Sequence, residues 1–183
     1  MNKKTMWDWV EEANSIAIAG HVRPDGDCIG SCMALYQYIK KEYPNKNTQV
    51  YFENVPESFH YLFEEEEMNI GFGNMEQAEL FFSVDCSDLE RLGLAGKLFD
   101  GAKHTVCIDH HISNEGYAEL NFIVPNASSA AEVMFQLLDE DKINKTIATS
   151  IYLGIVHDSG VFKYSNVSFI IIAFSKVYII FVV

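Results

Sequence analysis

Basic residues are few in this chain of 183 residues. It has 13 Lys and Arg against 26 Asp and Glu, a formal net charge of −13, so its surface as a whole repels a long nucleic-acid duplex. Its four cysteines form no CxxC pair, and the first nine residues contain no signal-peptide run, which favours a cytoplasmic protein with structural thiols. A short oligonucleotide or a mononucleotide held through metal ions is compatible with this charge balance.

The chain also has no internal linker and too few residues for a second full domain. Its length is enough for one domain with a real core, which we expect over residues 1–166. Residues 167–183 form an apolar tail without an acid, Gly or Pro. The tail is short for a membrane span and contains Lys176, so a native final strand and a truncated or frame-shifted end are the other interpretations. We favour the truncated or frame-shifted end, and we expect no membrane partner.

One imidazole and two carboxylates crowd into a short stretch after the apolar run Ile16–Ala19. His21, Asp25 and Asp27 lie within seven residues of one another, around a Pro and a Gly that set the backbone of a strand-to-helix turn. Two carboxylates that converge on a turn repel each other unless a proton or a cation lies between them. Carboxylate oxygen with neutral imidazole suits Mn, Fe, Co, Zn or Mg. The alternative is that Asp27 only caps the next helix and Asp25 is a turn residue.

The same pattern follows other apolar segments. Asp85 directly follows the run 80–84, and Asp109, His110 and His111 follow the run 105–108. A fourth run, 151–156, leads into His157 and Asp158. Four apolar segments that each end in Asp or His are typical of an open parallel sheet whose ligands gather at its carboxyl edge. The sequence therefore predicts an α/β fold with helices flanking a mostly parallel sheet.

The remaining segments give a coarse order of elements. We expect 53–73 to be irregular, with the four acids of 64–67 on a solvated face, and 113–126 to be a variable loop. Residues 145–156 are helical or mixed. The expected helices are Met6–Ala13, Asp27–Lys41 and a helix from about Ala127 to Asp139 capped by Ser128 or Ser129, and the expected strands are Ile16–Ala19, Thr48–Phe52, Leu80–Val84 and Thr105–Ile108.

The ordered motifs resemble those of the DHH phosphoesterases, in particular the bacterial branch with oligoribonuclease and 3'-phosphoadenosine 5'-phosphate phosphatase activity. The resemblance covers about residues 5–166, and four ordered motifs are specific where any one of them is weak. It implies a Rossmann-like catalytic domain, but no counterpart of that family's second domain is present in these 183 residues. The motifs that carry it are His21-x-x-x-Asp25-x-Asp27, Asp85, Asp109-His110-His111 and Asp158-Ser159-Gly160.

The resemblance also implies roles for single residues. It makes His111 a group that approaches the phosphate and Asp109 the residue that orients an imidazole. Asp85 is the favoured bridge between two divalent ions, with Mn preferred and Mg or Co as alternatives. Weaker candidates for substrate contacts are Arg91, Ser128 and Ser129. The implied metal ligands are His21, Asp25, Asp27, Asp85, His110 and Asp158.

These residues predict a cytoplasmic, metal-dependent hydrolase of phosphate esters in short RNA or nucleotides, acting through two-metal activation of water. A cyclic-dinucleotide phosphodiesterase and an inorganic pyrophosphatase share the same metal motifs. A metal-binding remnant without activity is the alternative from another class, because the substrate-binding second domain is missing. The motifs leave a homodimer open.

Overall fold

A computed structural model describes residues 2–62, 68–70 and 75–165, in which strands and helices alternate. Short 3-10 helices lie at Glu57–Leu62, Glu90–Ala95 and Glu140–Lys142. The strands are β1 (Ser15–Ala19), β2 (Asn47–Phe52), β3 (Met68–Ile70), β4 (Leu80–Val84), β5 (His104–Asp109) and β6 (Leu120–Ile123), and the helices are α1 (Lys3–Glu12), α2 (Gly26–Glu42), α3 (Gly96–Gly101), α4 (Ala130–Leu137) and α5 (Lys145–Asp158).

The strands form a six-stranded sheet in the order β3-β2-β1-β4-β5-β6, and every pair is parallel. The predicted fold class is therefore confirmed. The chain leaves β1 toward β2 on one side and later returns to place β4 on the other side of β1. Open parallel sheets bind their ligands at such a reversal, outside the carboxyl ends of the strands.

Both faces of the sheet are covered, because the strands are apolar on both sides. Successive side chains of a strand point to opposite faces. In β1, Ile16 and Ile18 join a core that also contains buried residues of α1, α2, α4 and α5. Ala17 and Ala19 join a second core with α3 and the 3-10 helix before it. The sheet is thus the middle layer between two layers of helices.

Helix α2 lies at the centre of the larger core and contacts both α4 and α5. Its first residue follows the N-cap Asp25, whose carboxylate accepts hydrogen bonds from the Asp27 and Cys28 amides. Gly154 of α5 permits the close approach of the three helices, because a Cβ atom there would lie 2.5 Å from the Ala131 Cβ and 2.6 Å from Asp27 Oδ1. The first turn of α2 is therefore packed closely between α4 and α5.

One prediction about secondary structure is wrong and another is made definite. The segment 145–156, expected to be helical or mixed, belongs to helix α5, which begins after the N-cap Asn144. A buried helix and a buried strand both give short apolar runs, so hydrophobicity alone could not separate them. The supposed variable loop 113–126 contains β6, which pairs with β5 at the edge of the sheet.

The other elements differ from the predictions mainly at their ends. Helix α1 begins three residues earlier than expected, because the Asn2 side chain accepts the amide of Thr5. Helix α4 is shorter than predicted at both ends. The expected irregular stretch 53–73 contains a 3-10 helix and β3. The run of four acids, 64–67, and the apolar tail lie outside the described residues.

All four cysteines are buried free thiols, in agreement with the expectation of structural cysteines. Burial raises the pKa of Cys86 to about 12 and raises that of Cys28 as well, so neither thiol ionises readily. Within the part of the chain that the structure describes, no helix combines the length and the apolar character needed to cross a membrane.

Candidate metal centre

The six predicted ligands come together at the carboxyl edge of the sheet. Four of them follow strands: His21 and Asp25 lie after β1, Asp85 after β4 and His110 after β5. Two belong to helices, Asp27 in the first turn of α2 and Asp158 at the end of α5. Residues far apart in the chain therefore converge on one spot beside the β1–β4 reversal.

We call His21 and Asp25 the outer group. The Nε2 atom of His21 lies 3.9 Å from Asp25 Oδ1 and 3.5 Å from Asp85 Oδ2. The side chain of Asp25 is 42% exposed, whereas those of His21 and Asp85 are buried. The outer group therefore has one side open to solvent.

We call Asp27, His110 and Asp158 the inner group. The Nε2 atom of His110 lies 3.8 Å from Asp27 Oδ2, 3.7 Å from Asp85 Oδ1 and 3.3 Å from Asp158 Oδ2. One imidazole nitrogen thus faces three carboxylates. Repulsion among carboxylates this close is relieved by a cation.

Asp85 lies between the two groups and turns one oxygen toward each. Its Oδ2 faces His21 and its Oδ1 faces His110. Asp85 Oδ1 is buried and finds no hydrogen-bond partner among the described residues. The backbone at Asp85 has a φ of +53°, a conformation that costs a non-glycine residue about 1 kcal/mol or more and that is held by the hydrogen bond from its amide to the Ile108 carbonyl.

The orientation of both imidazoles is fixed by backbone carbonyls. His21 Nδ1 lies 2.8 Å from the Val22 oxygen, and His110 Nδ1 lies 3.4 Å from the Ala127 oxygen. Because a carbonyl can only accept, each Nδ1 carries a proton, which leaves Nε2 as the ring nitrogen that faces the carboxylates and can bind a metal ion once it has lost its own proton. This is the arrangement in which histidine binds a metal ion.

Asp27 has a second function in addition to its place in the inner group. Its carboxylate accepts the amides of Ala130 at 2.6 Å and Ala131 at 2.9 Å, which are the first amides of α4. Burial raises the pKa of Asp27 well above its usual range, the charges of Asp85 and Asp158 raise it further, and the two amides oppose the rise. The prediction left open whether Asp27 caps its own helix. Asp25 is the N-cap of α2, and Asp27 instead accepts the first two amides of α4.

His111 is held by the residue that precedes the histidine pair. Its Nδ1 donates to Asp109 Oδ1 at 2.8 Å, so Nε2 is free to face a substrate, and its side chain is 32% exposed. The hydrogen bond with Asp109 raises the pKa of His111 despite partial burial. Of the two imidazoles, Asp109 thus orients His111 and not His110.

Asn114 completes this arrangement and was missed by the sequence analysis. Its buried amide donates to Asp109 Oδ2 at 2.7 Å and to the Cys86 carbonyl at 3.1 Å. It therefore links the segment after β5 to the segment after β4. The only signal in the sequence was its place five residues after Asp109, which has no meaning until the turn between them is known.

His157 is a further group that the prediction did not include. Ligand atoms of His157, Asp25 and Asp158 lie within 4.8 Å of one another. The residue is exposed, and its imidazole also lies against the ring of Phe59 at 6.3 Å between centroids. It borders the site between the outer and inner groups.

The weaker candidates for substrate contacts have different surroundings. Ser129 caps α4 by accepting the Glu132 amide at 3.0 Å, and Glu132 Oε2 accepts the Ser128 amide at 2.7 Å. Both serines are fully buried, which does not favour direct contact with a substrate. Arg91 lies in an open pocket together with His21 and Asp25.

The donor set fits hard divalent cations. Donor atoms that share one ion at metal–ligand distances near 2.0–2.2 Å lie roughly 3 to 3.5 Å apart, close to the 3.3–3.9 Å separations found here. The unpartnered Asp85 oxygen and the two directed imidazoles are the further features that a cation would satisfy. The chain thus contains His and carboxylate groups able to hold a metal ion.

The chain is similar in sequence to known proteins. The chain is 30% identical over 159 residues to the bifunctional oligoribonuclease and PAP phosphatase NrnA of Bacillus subtilis, covering 84% of this chain and 49% of that protein. It is 26% identical over 176 residues to the cyclic-di-AMP phosphodiesterase PdeA of Listeria monocytogenes, covering 85% and 26%. The chain spans about half the length of the NrnA relatives that it matches.

Solved structures show the same fold. An exopolyphosphatase-related protein from Bacteroides fragilis superposes with a TM-score of 0.88 at 25% identity, covering 97% of this chain and 56% of that one. A putative family II inorganic pyrophosphatase from Methanococcus jannaschii has a TM-score of 0.64 at 17% identity, which supports the fold alone.

The family model described as "DHH family, N-terminal domain" matches residues 15–155. The NrnA and PdeA relatives are named for the hydrolysis of phosphate esters, as an oligoribonuclease and phosphatase or as a phosphodiesterase. The matched range contains five of the six predicted ligands, and Asp158 follows three residues after its end. The chain therefore belongs to the DHH family and contains that family's N-terminal domain.

Proposed function

We propose that this chain hydrolyses phosphate esters of short oligoribonucleotides or nucleotides with the help of two divalent metal ions, Mn²⁺ being the first candidate. The observation that carries the proposal is that Asp85 lies between the two ligand groups and turns one oxygen toward each. Its Oδ1 atom, which faces His110, is buried and has no hydrogen-bond partner among the described residues. Hard oxygen donors with two imidazoles suit Mn²⁺, Co²⁺ and Mg²⁺ alike.

Each of the two ions would be held by a different group of residues. One ion would be held by the outer group and Asp85, and the second by the inner group and Asp85. When bound, such ions supply an activated water and positive charge for the phosphate. The carboxylates of Asp27 and Asp158 would then be neutralised, which removes the repulsion that raises their pKa values in addition to burial.

His111 is the group proposed to act on the substrate directly. In its protonated form it would donate its Nε2 hydrogen to a phosphate oxygen or to the leaving oxygen, while Nδ1 stays bonded to Asp109. Asn114 prevents the Asp109 carboxylate from turning away. The proton donor His111 is thus held in place by two hydrogen bonds, its own to Asp109 and the one that buried Asn114 donates to Asp109.

The substrate class follows from charge and from the relatives. A net charge of −13 disfavours long nucleic acids, whereas a short substrate can be held mainly through the ions. NrnA relatives are named for oligoribonucleotides and PAP, and PdeA for a cyclic dinucleotide. We rank short RNA and nucleotides first, in the cytoplasm, because five NrnA relatives match at 28–34% identity.

Hydrolysis by the full 183-residue chain with Mn²⁺ tests the proposal. The substrates are a short oligoribonucleotide, 3'-phosphoadenosine 5'-phosphate, a cyclic dinucleotide and pyrophosphate, and the control variant is His111→Ala. Hydrolysis of the first two that His111→Ala loses would support the proposal. Preference for either of the last two substrates would assign the chain to that activity instead.

Calorimetric binding of Mn²⁺ without hydrolysis of any of the four substrates would contradict the proposal.

A further inference from the structure

The chain contains only two arginines, and both line the same pocket. Eleven of its 13 basic residues are lysines; the others are Arg23 and Arg91. The pocket is open, has a volume of about 550 Å³ and adjoins the outer group. Its lining residues are His21, Val22, Arg23, Asp25, Glu53 and Arg91.

The two arginine-bearing segments are joined by the backbone. The Val22 amide donates to the Arg91 carbonyl at 2.7 Å, and Asp88 Oδ1 accepts the Arg91 amide at 3.0 Å. Gly93 lies against this junction with a φ of +55°, and a Cβ there would lie 2.6 Å from the Val22 side chain. The positions from which the two side chains extend are therefore fixed relative to each other.

Neither guanidinium forms an ion pair with another residue in the described part of the chain. Apart from the ligand Asp25, the one carboxylate lining the pocket is that of Glu53. Unpaired arginines are unusual in a chain with twice as many acids as bases. Guanidinium groups bind phosphate in a two-pronged manner that lysine cannot reproduce.

We propose that Arg23 and Arg91 bind a second, non-reacting phosphate of the substrate. This inference rests on the proposed function, since it names a feature of the substrate of that site. The reacting phosphate has to reach His111 and the shared Asp85, and neither lines this pocket. The pocket shares only His21 and Asp25 with the ligand set, so a phosphate held here belongs to the neighbouring position of a nucleotide or oligonucleotide. The arginines thus select substrates that carry two phosphate groups.

Binding without metal tests the pocket independently of catalysis. Calorimetry on the full chain in EDTA compares adenosine 5'-monophosphate with adenosine, which differ only in the phosphate. We expect the nucleotide to bind more tightly, and Arg23→Gln or Arg91→Gln to lower its affinity roughly tenfold, the size of one charge-assisted hydrogen bond. Equal binding of the two compounds by the native chain, or unchanged binding by both variants, would overturn the proposal.

Turnover with Mn²⁺ tests the same point on a substrate. Diadenylate with a 5'-phosphate is compared with diadenylate without it. Each arginine variant should lower kcat/KM about tenfold on the phosphorylated form and less than about threefold on the other. Equal losses on both would overturn the proposal, because the arginines would then act on the reacting phosphate or on the fold. If the native chain hydrolyses neither, the proposed function fails and the calorimetry still decides the pocket.

Three variants control for charge and shape. Lys97→Gln removes the same charge from an exposed position outside the pocket and should leave the affinity unchanged. Glu53→Gln removes the competing carboxylate and should raise the affinity. Arg23→Lys keeps the charge but not the planar fork and should give an intermediate loss. If Lys97→Gln lowered the affinity as much as Arg23→Gln does, the effect would depend only on net charge, which would contradict the proposal.

Discussion

The outer and inner groups of the site differ in what their carboxylates are bonded to. Asp25 of the outer group is 42% exposed and caps its own helix α2, beside the pocket that holds both arginines. Asp27 of the inner group is fully buried and holds the first amides of α4, a different helix. Two carboxylates only two residues apart therefore have different surroundings: that of Asp25 faces solvent and the pocket, and that of Asp27 is part of the packing.

This difference means that changing Asp27 should disturb the packing of α4, whereas changing Asp25 should affect only the cap of its own helix. The Asp27 carboxylate joins the start of α2 to the start of α4. Gly154 of α5 leaves room for it, because a Cβ atom there would contact Asp27 Oδ1. Variation in specificity is therefore expected on the outer side. The predictions below separate the two sides.

Removing the carboxylate shared by the two groups should have the largest effect. We expect Asp85→Ala to abolish binding of two Mn²⁺ ions and to lower hydrolysis more than about 100-fold, because even residues that only support a ligand change metal affinity 10- to 100-fold. Calorimetric titration with Mn²⁺ measures the stoichiometry. Asp100→Asn, an exposed change on α3, is the matched control. Two ions still bound by Asp85→Ala would refute the bridging position.

The two neighbouring carboxylates should differ in their effect on stability. In EDTA, Asp27→Ala should lower the free energy of unfolding by about 2 kcal/mol, because two buried amides of α4 lose their acceptor. Relief of the repulsion from Asp85 and Asp158 reduces this loss but does not cancel it. Asp25→Ala should cost about 1 kcal/mol, since water can reach the freed amides of α2. Urea denaturation measures both, and an Asp27→Ala protein no less stable than Asp25→Ala would contradict the distinction.

Loss of Asn114 should affect turnover more than metal binding. Asn114→Ala leaves Asp109 without its amide donor, so His111 is less well oriented and kcat/KM should fall about tenfold, as for other supporting residues. Mn²⁺ stoichiometry should be unchanged. The control is Asn121→Ala, whose amide bonds only to Ala118 in the nearby loop. Turnover within twofold of the native value in Asn114→Ala would show that Asp109 does not need this contact.

The caps of the two neighbouring helices should give the smallest effects and still differ. Ser129→Ala and Asn144→Ala each remove one N-cap, of α4 and α5 respectively, and each should cost about 1 kcal/mol of stability. Only Ser129→Ala disturbs the turn that Asp27 holds, so it alone should weaken Mn²⁺ binding, by about threefold. Equal Mn²⁺ affinity in the two variants would mean that the inner group does not depend on how α4 begins.

The parts of the fold that the sequence predicted are those with local signals. Strands β1, β4 and β5 are apolar runs that end in Asp or His, and parallel strands bring such ends to one edge. Strand β6 was missed because it has only four residues at the edge of the sheet. The segment before Asp158 was ambiguous because burial on all sides removes the periodicity that distinguishes a helix.

The six candidate ligands were named from the ordered motifs, although two of them, Asp27 and Asp158, lie on helices and not directly after strands. The motifs placed His21, Asp85 and His110 at one edge, but contacts made across the fold left no trace in the local sequence. Asn114 reaches the Cys86 carbonyl, 28 residues away in the chain. Asp27 reaches α4 across more than 100 residues. Such roles depend on how distant segments pack, which no short motif encodes.

The long reach of Asp27 has a consequence for how the protein is made. On a ribosome, the loop with His21 and Asp25 emerges first, and α4 and Asp158 emerge more than 100 residues later. Until then the early ligands form an acidic loop without its partners, and domains generally fold as units. The six side chains therefore come together only when nearly the whole domain has left the tunnel, and under the two-ion proposal firm binding of Mn²⁺ would require a domain that is completely synthesised and folded.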